Sequence, residues 1–306
     1  MSTVLAMLAA VLLDHVWGEP RRAHPLVLFG RMANWIEQRT YADRRISGGL
    51  AWSLAVLPCV VVLLIVQRYA PMWLAWCMAV IVLYAALGLR SLGEHAQPVA
   101  SALVADDLDA ARVAVSRMVS RDTAALSAEQ VATAATESVL ENGADAVFGA
   151  LFWFAVLGAP GALLYRLANT LDAMWGYRTP RYTRFGWASA RLDDVLNFIP
   201  ARLTAFTYAM CGHFDGAVRC WHTQAPRWKS PNAGPVMAAG AGALRVKLGG
   251  AAPYHGAWVL RPELGAGACA DAMSIERALG LVRRGVVLWL VVALLIGFGM
   301  WGSAHA

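Results

Sequence analysis

The sequence predicts an all-α, polytopic integral membrane protein: about four clear transmembrane helices, a broken or re-entrant hairpin, and a cytoplasmic helical and loop region that carries the chemistry. Three observations predict it. Hydrophobic residues fill 58% of the 306 positions and charged residues only 15%, against ~25% charged in a soluble domain, and mean hydropathy is +0.50. Several apolar runs approach the ~20 residues that a helix needs to cross hydrocarbon. No strand-like alternation of useful length occurs. The chain reads as one membrane-embedded domain over 1–306, with spans in 1–89, a cytoplasm-facing region in 90–284 and a last span in 285–302.

The elements follow in order. Residues 2–13 form a short apolar helix, without the basic start or small-residue cleavage site of a removed signal. The runs 50-LAWSLAVLPCVVVLLIV-66, 72-MWLAWCMAVIVLYAALGL-89 and 285-GVVLWLVVALLIGFGMW-301 are near span length. Trp52, Trp73, Trp76 and Trp301 lie near their ends, where aromatic belts form. Only 67–71 separates the first two of these runs, so they make a tight hairpin.

Arginine sets the orientation. Segment 14–49 holds Arg21, Arg22, Arg31, Arg39, Arg44 and Arg45, whereas 67–71 holds one arginine and 302–306 none. This predicts that 14–49 and 90–284 face the cytoplasm from the cell inner membrane, with both termini outside. A crossing at 146-AVFGALFWFAVLGAPGALLYRL-167 would strand Arg166, Arg178, Arg181, Arg184 and Arg191 on the far side. Gly158-Ala159-Pro160-Gly161 therefore marks a hairpin rather than a span. Asn197, Pro200 and Arg202 argue against a lipid-facing span at 195–212. Residues 97–118 read as one amphipathic helix, Ser127 and Gln130 as a capping box opening the next, and 213–284 as loops with short helices.

Composition also excludes. The net charge of +6 is almost wholly arginine, spread along the chain, with lysine only at Lys229 and Lys247. That pattern fits topology and anionic small molecules rather than nucleic acid. Cys59, Cys77, Cys211, Cys220 and Cys269 show no zinc-like spacing and read as reduced structural thiols. No GxxxxGK[ST] phosphate loop occurs.

Four constellations could carry chemistry. Glu137, Glu141 and Asp145 recur at i, i+4 and i+8; such like charges repel by ~0.2–0.5 kcal/mol per pair, so either water, a metal or arginines answer them. Asn169 and Asp172 offer hard oxygen ligands of the kind Mg²⁺ accepts, or else a cap near a helix end. In 184-RFGWASARLDDVLNFIPARLTA-205, Asp193 and Asn197 share one helical face, Arg191 and Asp194 another, and Pro200 closes or kinks the segment. Pairing Arg191 with Asp194 leaves Arg184, Asp193, Asn197 and Arg202 in need of partners; a divalent metal with a phosphate or carboxylate would supply them. Finally, 230-SPNAGPVMAAGAGALRVKLGG-250 either presents backbone N–H groups to an anion, beside Arg245 and Lys247, or packs tightly against other helices.

These stretches, ESVLENGAD, APGALLYRLANTLDAMWGYR, RFGWASARLDDVLNFIPARLTA and SPNAGPVMAAGAGALRVKLGG with YHG at 254–256, resemble the adenosylcobinamide-phosphate synthase family of cobalamin biosynthesis, the CobD/CbiB type. So do LLDHVWGEPRRAHPLVLFGRMANWIE, at Asp14, Gly18, Glu19, Pro20, His24, Pro25, Gly30, Arg31 and Glu37, and SLGEHAQPV and SRDTAAL. The resemblance covers nearly the whole chain. Departures are small: Glu141-Asn-Gly-Ala-Asp145-Ala stands where many members have Glu-Asn-x-x-Asp-Gly, and Pro235-Val236 precedes Met237.

What the resemblance implies is an ATP-dependent amide ligase. It would join aminopropanol, or its O-phosphate, to a propionate carboxylate of the corrinoid adenosylcobyric acid. The expected cofactors are ATP and Mg²⁺. The expected partners are those substrates, membrane lipid, and either a second copy of the chain or other enzymes of the pathway. The residues then take these roles: Glu137, Glu141, Arg191, Asp193 and Asp194 catalytic, with Glu137 as a base; Asp172, Asp193 and Asp194 for metal; Asn169, Arg184, Asn197, Arg202, Ser230, Asn232 and Arg245 for the nucleotide. A sensory homologue would keep the helices and lose these motifs; a transporter would set its ionisable residues within the spans.

Overall fold

The computed structural model describes residues 1–19, 24–177, 179–254 and 256–305, without the side chains of 300–305. Pro20, Arg21, Arg22, Arg178 and His255, and the side chain of Trp301, lie outside the described residues. The helices are α1 (Ser2–Trp17), α2 (Pro25–Thr40), α3 (Arg45–Tyr69), α4 (Met72–Ala86), α5 (Leu89–Val104), α6 (Leu108–Val115), α7 (Ala128–Gly143), α8 (Gly149–Trp175), α9 (Tyr182–Phe185), α10 (Trp187–Cys211), α11 (Phe214–Gln224), α12 (Ala233–Leu244) and α13 (Ala272–His305). Five short strands follow α12: β1 (Val246–Gly249), β2 (Ala252–Tyr254), β3 (Ala257–Val259), β4 (Glu263–Gly265) and β5 (Ala268–Cys269). They correct the reading of 213–284 as loops and short helices, for strands of two to four residues are too short to show alternation. The protein is an all-α polytopic membrane protein with two small β ribbons.

Among the described residues, four helical stretches are long and apolar enough to cross a membrane: Arg45–Tyr69, Met72–Val104, Ala128–Trp175 and Ala272–Gly299. Large apolar side chains stand exposed along them, among them Leu50, Leu54, Val61 and Ile65 on α3 and Val287, Val291 and Leu295 on α13. Helix α1 has 16 residues, about 24 Å at 1.5 Å per residue, short of the ~30 Å hydrocarbon core. Helix α10 is not among the four, although Val195, Ile199, Phe206 and Met210 are exposed along it.

Ala128–Trp175 is not one straight rod. A π-helical turn at Ala144–Phe148 joins α7 to α8, and Gly158 breaks α8 with φ 67° and ψ −156°, a conformation open to glycine. Beyond it the chain folds back. A Cβ on Gly161 would lie 2.4 Å from the Trp153 carbonyl oxygen and one on Gly149 2.1 Å from the Tyr165 hydroxyl, whereas residues eight apart in an unbroken helix are ~12 Å apart. The two legs are an antiparallel hairpin, as the Gly-Ala-Pro-Gly run predicts.

Two further expectations need correction. Residues 97–118 are two helices, because Asp106 takes φ 54° and the Asp107 carboxylate accepts from the Ala110 N–H at 2.9 Å, capping a new start. Of the two readings of Pro200, that it closes the segment fails, since α10 runs on to Cys211. The capping box is present, with Ser127 Oγ accepting from the Gln130 N–H and Gln130 Oε1 accepting from the Ser127 N–H.

The chain divides into two compact units, so the 90–284 stretch is shared between them. The first comprises Met1–Gly88, Gly149–Asn197 and Val292–Ala306. Its core joins Phe29, Ala33 and Ile36 of α2, Ala51, Trp52 and Ala55 of α3, Ala168, Leu171 and Trp175 of α8, and Phe185. Alanines at the crossings let the helices approach closely. The second unit comprises Leu89–Phe148 and Phe198–Val291. All twelve residues of α12 are buried, and a Cβ on its Gly242 would lie 2.4 Å from the Gly216 carbonyl oxygen of α11. The Gly/Ala run is thus used for helix packing, the second of the two readings of that stretch.

Candidate functional site

In the first unit, the second leg of α8 faces the start of α10 through a polar ladder. Tyr165 and Asn169 lie one turn apart on α8, and Asp193 and Asn197 one turn apart on α10. The Tyr165 hydroxyl donates to Asn197 Oδ1 at 2.7 Å, Asn197 Nδ2 donates to Asp193 Oδ2 at 3.0 Å, and Asn169 Nδ2 donates to Asp193 Oδ1 at 3.3 Å. Tyr165 and Asn197 are buried, where a lost partner would cost ~1–3 kcal/mol. Pro200 contributes through what it lacks. Without its N–H, the Leu196 carbonyl loses its helical donor, and Trp153 Nε1 donates to that carbonyl instead at 3.0 Å.

Asp193 is therefore held by two neutral amides. Burial pushes its carboxyl up, to about 6; the Asn197 and Asn169 bonds oppose the shift and the Asp194 charge adds to it. The result is a carboxyl that changes state near neutral pH, as a general base requires. Beside it, Arg191 NH1 lies 3.3 Å from Asp194 Oδ2, with 57% of the arginine side chain exposed. Such an outward-facing guanidinium can meet a ligand's phosphate.

A magnesium ion is held by one or two carboxylates with water and substrate phosphates. Asp193 and Asp194 are each a donor of that kind, on different faces of α10. Among the described residues no group of three His, Cys, Asp or Glu side chains could hold a metal, so Asp172, Asp193 and Asp194 do not form one metal cluster. Asp172 lies in the last turn of α8, where a Cβ on Gly176 would come within 1.9 Å of its Oδ1. Arg184 lies 3.6 Å from Asp43, both well exposed.

Sequence reasoning gave Glu37 no role. Its buried carboxylate accepts from Trp175 Nε1 at 3.1 Å, Arg181 Nε and NH2 at 3.0 and 2.8 Å, and the Tyr182 hydroxyl at 3.1 Å. It pins the α8–α9 connection to α2.

In the second unit Glu137 is 2% exposed. Its Oε2 accepts from Arg121 NH2 at 2.5 Å and Arg261 NH1 at 3.0 Å, and its Oε1 from Arg261 NH2 at 3.0 Å and the Gly249 N–H at 2.7 Å. A carboxylate so saturated is a structural anion, which corrects its assignment as a base. Glu141, one turn on, lies in the field of Glu137, Arg121 and Arg261. Arginines thus answer the first carboxylate of the acidic line, Glu137. Arg121 could have been suspected from SRDTAAL; Arg261 sits alone in a loop with no spacing signal.

The nucleotide residues of this unit separate. Ser230 Oγ accepts from the Ala233 N–H at 3.1 Å, at the start of α12, and Arg202 NH1 donates to Asn232 Oδ1 at 3.2 Å. Arg202 also donates to the Phe198 and Pro231 carbonyls, and burial lowers its pKa. Arg245 closes the other end of α12 in a left-handed conformation, ~18 Å along the helix. Ser230, Asn232 and Arg245 are not one phosphate cradle.

A buried polar ladder between two long helices marks a polytopic membrane protein with polar groups in its interior. The family described as CobD/Cbib protein matches residues 7–282. A cobalamin biosynthesis protein CobD of Stutzerimonas stutzeri is 59% identical over 305 residues, 98% of this chain and 99% of its own. Its namesake in Chromobacterium violaceum is 53% identical over 315 residues, 100% of both chains, and that of Mycobacterium tuberculosis 43% over 284 residues, 91% of both. No solved structure matches this chain. The chain belongs to the CobD/Cbib protein family.

Proposed function

We propose that the chain is a membrane-bound ligase of cobalamin biosynthesis, joining aminopropanol or its O-phosphate to the propionate carboxylate of adenosylcobyric acid at the expense of ATP. The observation that carries the reading is the match of the whole chain to cobalamin biosynthesis proteins; the ladder around Asp193 supports it. An amine cannot displace oxygen from a carboxylate until that oxygen becomes a leaving group. When bound, Mg²⁺–ATP supplies the phosphoryl group that makes it one.

The protein's part is positioning and proton handling. Either Asp193 or Asp194, on different faces of α10, would supply a carboxylate to the metal. Arg191 stands where it can bind phosphate oxygens. Asp193, when not held by metal, takes a proton from the arm's ammonium and so frees the amine that attacks; Asn169, Asn197 and Tyr165 fix its orientation. The arm substrate, the catalytic face on the cytoplasmic side of the inner membrane, and association with a second copy or with pathway enzymes belong to this proposal.

The test is complementation of a strain blocked in arm attachment, fed labelled cobyric acid. Restored labelled cobinamide supports the ligase. Labelled acid that enters the cell but stays unconverted would point to the regulatory reading, and altered uptake alone to a transporter. Asp194→Asn in the same strain asks whether that carboxylate belongs to the site; near-normal conversion would remove it.

A further inference from the structure

Helix α2 presents two faces. Phe29, Ala33 and Ile36 lie in the core of the first unit, whereas Val27, Leu28, Met32 and Trp35 stand exposed. Leu28, Met32 and Trp35 recur at i, i+4 and i+7 as one apolar stripe, and Arg31, Asn34 and Gln38, exposed as well, run beside it. An apolar stripe bordered by polar and cationic side chains is the pattern of a helix lying at the edge of a bilayer.

Helix α3 gives the level. Ile46, Leu50 and Leu54 make one exposed row at i, i+4 and i+8, and Ile46 at its head is 77% exposed. The helix has 25 residues, about 38 Å at 1.5 Å each, against ~30 Å of hydrocarbon. Centred on that layer, it places its first residue, Arg45, among the headgroups. The Arg45 guanidinium lies 5.0 Å from the ring of Trp187, and that of Arg39, in the last turn of α2, lies 3.8 Å from the ring of Trp35. Each pair sets a cation over an amphipathic ring, as at a membrane interface.

Charge is one-sided here. Residues 25–48 hold Arg31, Arg39, Arg44 and Arg45 against Glu37 and Asp43, and 176–192 holds arginines and no carboxylate. Glu37 is bound by Trp175, Arg181 and Tyr182, and Asp43 faces Arg184. No carboxylate among the described residues thus pairs with Arg39 or Arg45.

We propose that α2 lies in the bilayer interface and that Arg39 and Arg45 bind the phosphates of anionic phospholipids, with Trp35 and Trp187 against the glycerol and upper acyl chains. The occupant is a lipid because the two cations top apolar rows that a free anion leaves uncovered. Guanidinium–phosphate bonds are charge-assisted, and each arginine near an anionic surface contributes about 5-fold in affinity. The inference needs only the membrane spans and stands without the ligase reading.

The test uses the full-length protein, purified in mild detergent and stripped of lipid. It is titrated with fluorescent short-chain phosphatidylglycerol and with the same probe on phosphatidylcholine. Phosphatidylglycerol should bind about 10-fold or more tighter, a preference that shrinks in high salt. Arg39→Gln with Arg45→Gln should weaken it by about 10-fold or more, and should weaken phosphatidylcholine, whose choline offsets the phosphate charge, far less. Trp35→Ala with Trp187→Ala should weaken both lipids. Arg283→Gln with Arg284→Gln, beside another span, is the control and should keep the preference. Arg39→Gln alone, at an exposed position, decides the matter if the double variant fails to fold. Equal affinity for the two lipids, or a full preference in the Arg39 and Arg45 variants, overturns the proposal. So does a preference that vanishes in the control, or complete displacement of the probe by ATP or inorganic phosphate, which would mark a site for free anions.

Discussion

Glu137→Gln separates a structural anion from a catalytic base. The carboxylate accepts four hydrogen bonds, three of them from guanidinium nitrogens. A glutamine keeps one acceptor oxygen and turns an amide donor toward the rest, so two bonds become donor against donor. At ~1.5–3 kcal/mol for each charge-assisted bond, the loss is ~3–6 kcal/mol, in line with the ~3–5 kcal/mol seen when one partner of a buried ion pair is removed. That is a large fraction of a typical ~5–15 kcal/mol stability. The assay is thermal unfolding in nanodiscs, with turnover expressed per folded molecule. A sharp fall in melting temperature with turnover within a few-fold of normal is expected. Arg261→Met in the same background should recover part of the loss, since the two sites are coupled. A variant that melts normally but loses turnover by ~100-fold or more would refute the reasoning and restore Glu137 as the base.

Four other outcomes follow. Turnover should rise as pH passes up through about 6, where Asp193 ionises, and Asp193→Asn should flatten that limb and cost ~10²–10⁴-fold; a variant keeping the limb clears Asp193. The same raised pKa fixes the sign for stability. The contribution of the protonated form is full below the unfolded value of ~3.9 and is lost as pH rises through about 6, so the wild type should lose more melting temperature between those limits than Asp193→Asn does. Gly158→Ala meets nothing closer than Pro160 Cδ at 3.9 Å, so its cost is conformational, ~1–3 kcal/mol; an unchanged melting temperature would mean the hairpin does not need that turn. Trp153→Phe should cost ~1–3 kcal/mol by stranding the Leu196 carbonyl, and Pro200→Ala should rescue it by restoring the helical N–H; absence of rescue breaks the link between the two residues.

Sequence patterning made much of this legible. Long apolar runs located α3, α4 and α13, and the glycine and proline at 158 and 160 located the fold-back, because both signals are local. The Asp193–Asn197 contact was legible as an i, i+4 pair, and the capping box as Ser127 with Gln130. What escaped depends on distant partners. Nothing near Asp193 announces Asn169 or Tyr165, a helix away, and nothing near Glu137 announces Arg261, 124 residues on. Pro200 does not close α10, and the carbonyl it leaves without a helical donor is met by a tryptophan 47 positions earlier: no helical-wheel argument sees Trp153. The strands escaped because β1 pairs with β4 and β5 through two to four residues only, held by glycine turns such as Gly249 at φ 81°.

The chemistry itself can be followed by isotope. The purified protein in nanodiscs is given Mg²⁺–ATP, the amine arm, and cobyric acid labelled with ¹⁸O in its reacting carboxylate, and the products are weighed by mass spectrometry. Activation by phosphoryl transfer predicts one labelled oxygen in the phosphate released for each amide formed. Amide formed without nucleotide consumption, or label that never reaches phosphate, would contradict it.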